Sequence, residues 1–337
     1  MVRLQRSGKS HPTMLLVSAI ALVVVMATVF EFRKGPKPVG WQKGNSLTGH
    51  SSNILAIAFS PDGQRLASGD QEGNVLIWEW DNTPPVAALH GDQQRILSLT
   101  FSPDGQTLVS GDTEGTVILW DMVQGKEKQT LYLHDAGVIG ICYASDGKTL
   151  ATASADGEIK LWDPSTGKKH ARWKSHQEGI SSLAYSPDGK TLATGSLDRT
   201  VVVWDATSAK EKTSFQNKGT IHALAFIADG KNLVAAHSHG EIKVWDIINS
   251  REVETLNATG TILLSLGVTA DGRKIIAGSL EGVVNLWDLD IGRDPMVLDH
   301  QKEPWVRAVA LAPDGGRLVF GMNSDFSLIG WELGSQK

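Results

Sequence analysis

Two patterns of hydrophobic residues divide the chain. Residues 14–30 form one uncharged run of 17 residues, mostly Leu, Val, Ile and Ala. From Trp41 onward, apolar residues come instead in short runs separated by turns that contain glycine and aspartate. Short apolar runs between turn residues are typical of buried β-strands. The patterns predict an apolar N-terminal segment followed by an all-β region.

The β region repeats one unit seven times. Each unit is predicted to contain a strand, an Asp-Gly turn, a second strand, a short glycine turn, a third strand that ends in tryptophan, and a more polar outer strand. In the first strand, small residues such as Ser98 and Thr100 alternate with large ones such as Leu99 and Phe101. An acid follows each of the seven tryptophans, which are Trp78, Trp120, Trp162, Trp204, Trp245, Trp287 and Trp331. A constant period in the low forties that ends in Trp and an acid is typical of propeller blades.

From about Trp41 to Glu332, the chain resembles the WD-repeat family of β-propellers. The resemblance implies an all-β, seven-bladed propeller of four-stranded antiparallel blades, which we place at residues 41–337. Only six residues follow Trp331, too few for an outer strand in the last blade. We therefore expect residues 41–48 to supply that strand and to close the ring.

Residues 1–40 are predicted to lie outside the propeller domain. We divide them into a short basic N-terminus (1–13), a single transmembrane helix (14–30) and a Pro/Gly/Lys linker (31–40). As a helix, the apolar run would reach roughly 26 Å, just short of the ~30 Å hydrocarbon layer. An uncleaved signal anchor is favoured, and a signal peptide cleaved after Ala27 is the alternative. The basic N-terminus gives a slight preference for a propeller on the extracytoplasmic side of the membrane.

Charge and composition exclude several classes of function. The first 40 residues hold six Lys/Arg and one acid, which leaves 26 basic and 36 acidic residues, net −10, in the repeats. Such an acidic body repels phosphate backbones, so no nucleic-acid partner is expected. The repeats hold no Gly-Lys-Ser/Thr phosphate loop and no Cys/His spacing suited to zinc. A two-histidine metal clip at His237 and His239 is disfavoured, and neither a cofactor nor a metal ion is expected.

The family resemblance also implies a buried tetrad of His, Ser/Thr, acid and Trp in each well-matched blade. Three sets fit the pattern: His50, Ser68, Glu72 and Trp78; His134, Thr152, Asp156 and Trp162; and His176, Thr194, Asp198 and Trp204. A His/Ser/Asp set is also the composition of a hydrolase triad. Because an enzyme needs one such site and not three, we interpret the sets as structural and expect no catalytic residue.

A candidate binding surface comes from polar residues in an otherwise aliphatic column. The position two residues before Ile57, with its equivalents, reads Leu55, Leu97, Ile139, Ser181, His222, Leu264 and Arg307. Because a buried column would not accept unpaired Ser, His and Arg, this position is predicted at the mouth of the ring. The resemblance implies that this rim binds proteins. The candidate residues are Trp305, Arg307, Leu264, Leu280, Ile262, Leu55, Asn53, Arg95, Leu97 and His222.

The predicted function is a membrane-tethered, non-catalytic scaffold whose partners are other proteins or peptides. The alternative is a cleaved, secreted or periplasmic propeller that binds a small ligand or polymer. A propeller enzyme is the third possibility, and no unrepeated cluster of acids or histidines supports it.

Overall fold

The computed structural model describes residues 40–337, apart from residues 81, 92, 270, 301–304 and 335–337. The predicted basic N-terminus, membrane segment and most of the linker lie outside these residues. Within the described part of the chain, no helix is long and apolar enough to cross a membrane.

Within the described residues, twenty-eight strands form seven four-stranded antiparallel sheets, as the repeat pattern predicts. Blade 1 contains β2 (Ile54–Phe59), β3 (Arg65–Asp70), β4 (Asn74–Glu79) and β5 (Ala87–His90). Blade 2 contains β6 (Ile96–Phe101), β7 (Thr107–Asp112), β8 (Thr116–Asp121) and β9 (Lys126–Tyr132). Blade 3 contains β10 (Val138–Tyr143), β11 (Leu150–Ser154), β12 (Glu158–Asp163) and β13 (Lys168–Lys174). Blade 4 contains β14 (Ile180–Tyr185), β15 (Thr191–Ser196), β16 (Thr200–Asp205) and β17 (Lys210–Gln216).

The remaining blades follow the same order. Blade 5 contains β18 (Ile221–Phe226), β19 (Asn232–His237), β20 (Glu241–Asp246) and β21 (Arg251–Asn257). Blade 6 contains β22 (Leu263–Val268), β23 (Lys274–Ser279), β24 (Val283–Asp288) and β25 (Met296–His300). Blade 7 combines β26 (Val309–Leu311), β27 (Arg317–Gly321) and β28 (Leu328–Leu333) with β1 (Trp41–Leu47).

The Asp-Gly motif closes the hairpin between the first and second strands of a blade. In blade 1, Asp62 Oδ1 accepts hydrogen bonds from the Ser60 hydroxyl at 2.5 Å and from the Gln64 N–H at 3.0 Å. Gly63 has φ +68° and donates its N–H to the Ser60 carbonyl at 2.8 Å. Glycine adopts this left-handed conformation without the steric cost of a Cβ. The motif therefore fixes where each hairpin turns.

The hydrophobic core consists of seven clusters between successive blades. One cluster joins Ala67 and Ile77 of blade 1 to Ile96 and Trp120 of blade 2. The second strand also needs a glycine there, since a Cβ on Gly69 would lie 2.4 Å from an Ile96 methyl carbon. Because each blade is buried on both faces, its inner strands show little polar alternation.

The ring closes in blade 7 with a strand from each end of the described chain. β1 pairs antiparallel with β28, so that Trp41 lies opposite Leu333 and Leu47 opposite Leu328. Trp41 and Leu47 are 5% and 3% exposed, and the Gly334 N–H donates to the Gly40 carbonyl at 2.6 Å. This confirms the prediction that residues before His50 complete the last blade.

Candidate functional site

Blade 4 contains a complete buried tetrad. The Thr194 hydroxyl accepts a hydrogen bond from Trp204 Nε1 at 3.0 Å and lies 2.8 Å from His176 Nε2. His176 Nδ1 lies 3.1 Å from Asp198 Oδ2 and 2.9 Å from the Thr200 hydroxyl. Thr194 is 0% exposed, so no substrate reaches its hydroxyl. The arrangement ties the inner strands of the blade together and leaves no accessible nucleophile.

Blade 1 has the same network with a different acid from the one predicted. His50 Nδ1 lies 2.8 Å from Asp70 Oδ2, while His50 Nε2 and Trp78 Nε1 lie 2.6 and 2.8 Å from the Ser68 hydroxyl. Glu72 is exposed and accepts a hydrogen bond from Ser51 instead. The assignment of Glu72 to the tetrad was wrong, because the last residue of β3 already places a carboxylate against His50.

The Asp70 carboxylate is held in its charged form. Burial raises its pKa, but hydrogen bonds from His50 and Asn74 outweigh burial and leave the pKa below its ordinary value. Its Oδ1 also accepts the backbone N–H groups of Glu72 and Asn74, both at 2.9 Å. Asp70 therefore shapes the turn after β3 as well as orienting His50.

Blade 3 keeps three members of its predicted tetrad. The Thr152 hydroxyl lies 2.8 Å from His134 Nε2 and accepts Trp162 Nε1 at 2.9 Å. Asp156 instead accepts the Glu158 N–H at 2.9 Å, and His134 Nδ1 has no hydrogen-bond partner among the described residues. The assignment of Asp156 as the hydrogen-bonding acid was therefore wrong.

In blade 3, a buried lysine pairs with an acid close to His134, whose Nδ1 has no hydrogen-bond partner among the described residues. Lys160 Nζ donates to the Leu133 carbonyl at 2.6 Å and lies 2.8 Å from Glu158 Oε2. Burial, and after it the charge of Lys160, lowers the pKa of His134 to about 4. Ligand atoms of His134, Asp156 and Glu158 lie within 4.8 Å of one another, as in some metal sites. The Lys160 ammonium, ion-paired with Glu158, already supplies a positive charge at this cluster.

Some polar pairs were missed by sequence reasoning. In blade 2, Trp120 Nε1 donates to Ser110 at 2.9 Å. In blade 6, the Asn285 side chain accepts from the Thr259 N–H and donates to the Thr259 carbonyl, both at 3.0 Å. The sequence carried a signal for the first two blades, since Ser-Gly-Asp ends the second strand at Asp70 and again at Asp112.

His237 and His239, for which a metal clip was disfavoured, differ in their surroundings. His237 is 2% exposed and its ring lies 5.6 Å from that of Trp245, whereas His239 is exposed. Burial, and after it the charge of Lys243, lowers the pKa of His237 to about 4. His237 is therefore a neutral residue of the blade interior.

The predicted rim residues lie at one end of the innermost strands. Leu55, Leu97, His222 and Leu264 are the second residues of β2, β6, β18 and β22, and all four are partly buried. Arg307 lies two residues before β26 and is exposed. Because the innermost strands run in the same direction around the ring, these positions share one rim.

The backbone joins the rim residues of blades 6 and 7. The Leu280 N–H donates to the Ile262 carbonyl at 2.8 Å, and the Trp305 N–H donates to the Leu280 carbonyl at 2.8 Å. Asn53 in blade 1 contacts its own blade, with Nδ2 3.4 Å from Gln71 Oε1. Ile262, Leu280 and Trp305 therefore form a continuous seam between two blades.

Trp305 and Arg307 form a cation–π pair at this seam. The Arg307 guanidinium carbon lies 5.0 Å from the centre of the Trp305 ring, and Trp305 is 37% exposed. Trp305 has φ +83°, and its carbonyl accepts Asn323 Nδ2 at 2.6 Å. A left-handed conformation is rare for a bulky residue and persists only where neighbouring contacts fix it.

Arg307 interacts electrostatically with one ionisable side chain in each of two other blades. Desolvation and the charge of Arg95 lower the pKa of Arg307. Burial and the charge of Arg307 lower the pKa of His222. The charge of Arg307 therefore affects the rim beyond its own blade.

Comparisons with known proteins agree with this architecture. The WD domain, G-beta repeat family matches residues 41–79, 83–121, 125–163, 167–205 and 209–246, together more than half of the chain. The chain is 56% identical over 39 residues to a probable cytosolic Fe-S cluster assembly factor of Schizosaccharomyces japonicus, a stretch that covers 12% of this chain and 6% of that protein. It is 50% identical over 34 residues to the vegetative incompatibility protein HET-E-1 of Podospora anserina, covering 10% of this chain and 2% of that protein.

The matched stretches are about one repeat long, so the chain spans only a few per cent of the length of these curated relatives. The five matched repeats are continued by two further blades of the same four-stranded plan, blades 6 and 7. The chain belongs to the WD domain, G-beta repeat family.

Proposed function

We propose that the protein is a non-catalytic platform that binds other proteins through the rim of blades 6, 7, 1 and 2. The observation that carries the proposal is the Trp305–Arg307 pair, ordered by its contacts and flanked by Ile262, Leu264 and Leu280. Tryptophan and arginine surrounded by aliphatic residues are the composition of an interface hot spot. Blade 1 extends the surface with Asn53 and Leu55, and blade 2 with Arg95 and Leu97.

The tetrads support a structural rather than a catalytic role for the His and Ser/Thr residues. Ser68, Thr152 and Thr194 are all 0% exposed, and each hydroxyl is committed to a histidine and a tryptophan. A nucleophile must approach its substrate, which these hydroxyls do not do. Assembly of Fe-S clusters is not part of the proposal, because the matched stretch is a single repeat.

The experiment places a photo-crosslinking amino acid at position 280 on the rim, or at position 132 on an outer strand, of the full-length protein. Tyr132 is 84% exposed, so its position tests mere accessibility. We expect a distinct protein adduct from position 280 that position 132 does not give. Trp305→Ala should reduce that adduct at least about tenfold, as truncating a hot-spot aromatic does.

Tyr132→Ala is the matched control, since it removes an exposed aromatic residue outside the rim. Its adduct yield at position 280 should equal that of the wild type. Full adduct yield with Trp305→Ala, in a protein that melts like the wild type, would move the binding surface elsewhere on the ring.

We further propose that residues 14–30 tether the propeller to a membrane with the ring on the extracytoplasmic side. The support is the uncharged apolar run in the sequence. Full-length protein should sediment with membranes and resist carbonate extraction, whereas residues 41–337 should remain in the supernatant. A mature N-terminus at Thr28 would instead establish cleavage and a released propeller.

A further inference from the structure

The mouth of the ring carries two arginines that form an ion pair with no acid among the described residues. Arg95 precedes β6 in blade 2 and Arg307 precedes β26 in blade 7. Five other described arginines pair with acids, namely Arg172, Arg251, Arg273, Arg293 and Arg317. Within the described part of the chain, neither the Arg95 nor the Arg307 guanidinium has such a partner or a side-chain hydrogen bond. Arg65 and Arg199 likewise form no ion pair among the described residues, but Arg65 Nη1 donates to the Met122 carbonyl at 3.2 Å. Arg95 and Arg307 thus place two positive charges at the mouth of a repeat region whose net charge is −10.

Arg95 lies one residue before β6 and Arg307 two residues before β26, so both stand at the same end of the innermost strands, in blades that blade 1 separates. Desolvation, and after it the charge of Arg95, lowers the pKa of Arg307. Burial, and after it the charge of Arg307, lowers the pKa of His222. Like charges held together in partly desolvated surroundings favour an anion between them.

Arg307 is held in position before any ligand arrives. Its guanidinium lies over the Trp305 ring at 5.0 Å, and Trp305 is fixed by hydrogen bonds to Leu280 and Asn323. A cation–π contact orients the guanidinium plane and leaves its N–H groups free to donate. A preorganised donor loses less conformational entropy on binding than a freely rotating one.

The wall of the mouth is apolar at the same level. Leu55, Leu97 and Leu264 occupy the ring position that Arg307 occupies in blade 7, and each is partly buried. A ligand that suits the mouth therefore has an aliphatic stem and a compact negative end. An extended polyanion suits it poorly, because the acidic body would repel every charge beyond the mouth.

We propose that the ring mouth binds a carboxylate side chain of an acidic segment in a partner protein, held between Arg95 and Arg307. Guanidinium groups recognise carboxylates through paired, charge-assisted hydrogen bonds. This inference rests on the proposed rim surface and adds the chemistry of the partner. The adjoining Leu55, Leu97 and Leu264 would pack against the methylene groups of a glutamate.

The test compares two fluorescently labelled hexapeptides by anisotropy with the full-length protein, Gly-Leu-Glu-Glu-Leu-Gly and its Gln-Gln counterpart. We expect the Glu peptide to bind at least about tenfold more tightly than the Gln peptide at 50 mM salt, and the difference to shrink at 300 mM salt. Arg307→Gln and Arg95→Gln should each remove most of the preference. Arg307→Lys should keep part of it, since lysine retains the charge without the paired donors.

Arg251→Gln is the matched control, because Arg251 lies on the outer strand β21 and its side chain is 70% exposed. This variant should keep the full preference for the Glu peptide. Should Arg307→Gln fail to fold, Arg95→Gln and Arg95→Glu carry the test, and Arg95→Glu should reverse the preference.

Equal binding of the two peptides by the wild type, or a preference that survives in both the Arg95 and Arg307 variants, would overturn the proposal. So would tighter binding of a single-stranded oligonucleotide than of the Glu peptide. Loss of the Glu preference with the Trp305-dependent adduct retained would leave the rim surface standing and remove only its acidic specificity. Loss of the crosslinked adduct from position 280, with the preference for the Glu peptide retained, would instead show that the rim is not the surface that binds proteins.

Discussion

At the scale of single residues, the blades are held together by buried polar groups whose partners are specific. The hydroxyls of Ser68, Thr152 and Thr194 each join a histidine to a tryptophan, and the third link, to an acid, varies from blade to blade. The resemblance to the WD-repeat family was sufficient to assign these hydroxyls, histidines and tryptophans. It was not sufficient for the acid, because alignment gives the position of a residue and not the direction of its side chain. Asp70 and Glu72 are two residues apart on one turn, and only Asp70 reaches His50.

The contact between His50 and Asp70 predicts how substitutions of the two acids change the stability of blade 1. Asp70→Ala should cost about 1–3 kcal/mol, because it leaves His50 and two backbone N–H groups without their acceptor. Glu72→Ala should change the free energy of unfolding by no more than about 0.5 kcal/mol, as at other exposed positions. Chemical denaturation of the two variants measures the difference. A larger loss of stability for Glu72→Ala than for Asp70→Ala would show that Glu72, as the sequence suggested, is the acid of the tetrad.

The buried tryptophan of blade 4 gives a second prediction at this scale. Trp204 is 7% exposed and packs against Leu183 and Leu192 in the cluster between blades 3 and 4. Trp204→Ala should therefore cost about 3–5 kcal/mol through the cavity that it leaves. Thermal and denaturant unfolding give the measurement, and a variant that melts like the wild type would refute the blade assignment.

The buried histidines predict how stability depends on pH. The pKa of His134 is lowered from 6.5 to about 4 in the folded protein, so between these values the unfolded chain binds a proton that the folded chain does not. Stability is therefore full above pH 6.5 and is lost as the pH falls toward 4, by about 2 kcal/mol from this residue at pH 5. His134→Gln should lose less stability than the wild type between pH 7.5 and pH 5.

The control for that titration is His170→Gln, since His170 is exposed on β13. This variant should lose as much stability between the two pH values as the wild type does. An equal loss in the His134 variant would show that the buried imidazole does not contribute to the pH dependence.

At the scale of strands and turns, the sequence was most informative. The Asp-Gly motif and the tryptophan period predicted the order of the strands and the four-stranded blade. They did not predict the β-bulges, such as the register shift between Leu161 and Trp162 where β12 pairs with β13. A bulge depends on how neighbouring strands twist against each other, and the residue types in a single strand do not specify that twist.

Alanine substitutions at two glycines with left-handed backbones distinguish the cost of backbone strain from the cost of a steric clash. Gly115 has φ +88°, and a Cβ there would lie 2.0 Å from the His134 carbonyl oxygen. Gly125 has φ +62°, and a Cβ there meets nothing within 4 Å. Gly125→Ala should cost about 1–2 kcal/mol from the backbone alone. Gly115→Ala should cost at least about 2 kcal/mol more, because the turn must also move.

Urea unfolding of the two alanine variants provides the measurement. Equal destabilisation would mean that the loop between blades 2 and 3, which includes His134, moves away from β8 without cost.

At the scale of the whole molecule, the ring closes because a strand that precedes the first blade completes the last one. The structure joins β1 to β28 and buries Trp41 and Leu47. The electrostatic interaction between Arg95 and Arg307 was not predictable from the sequence. The two residues are far apart in the sequence, and only the closed ring brings blades 2 and 7 around a common mouth.

Closure predicts the effect of removing β1. A chain that begins at His50 leaves the β28 edge unpaired, so it should melt at a lower temperature and aggregate through that edge. A chain that begins at Gly40 is the control and should melt as a monodisperse protein. Melting curves and sedimentation velocity distinguish the two. Identical behaviour would show that β1 adds nothing to closure.

The central claim is that partners bind the rim of blades 6, 7, 1 and 2. Hydrogen–deuterium exchange of the full-length protein, with and without the partner identified by crosslinking, tests it most directly. Binding should slow exchange around residues 53–55, 95–97, 262–264, 280 and 305–307, and should leave exchange in the outer strands β9, β13 and β17 unchanged. Protection confined to those outer strands, with the rim exchanging as in the free protein, would contradict it.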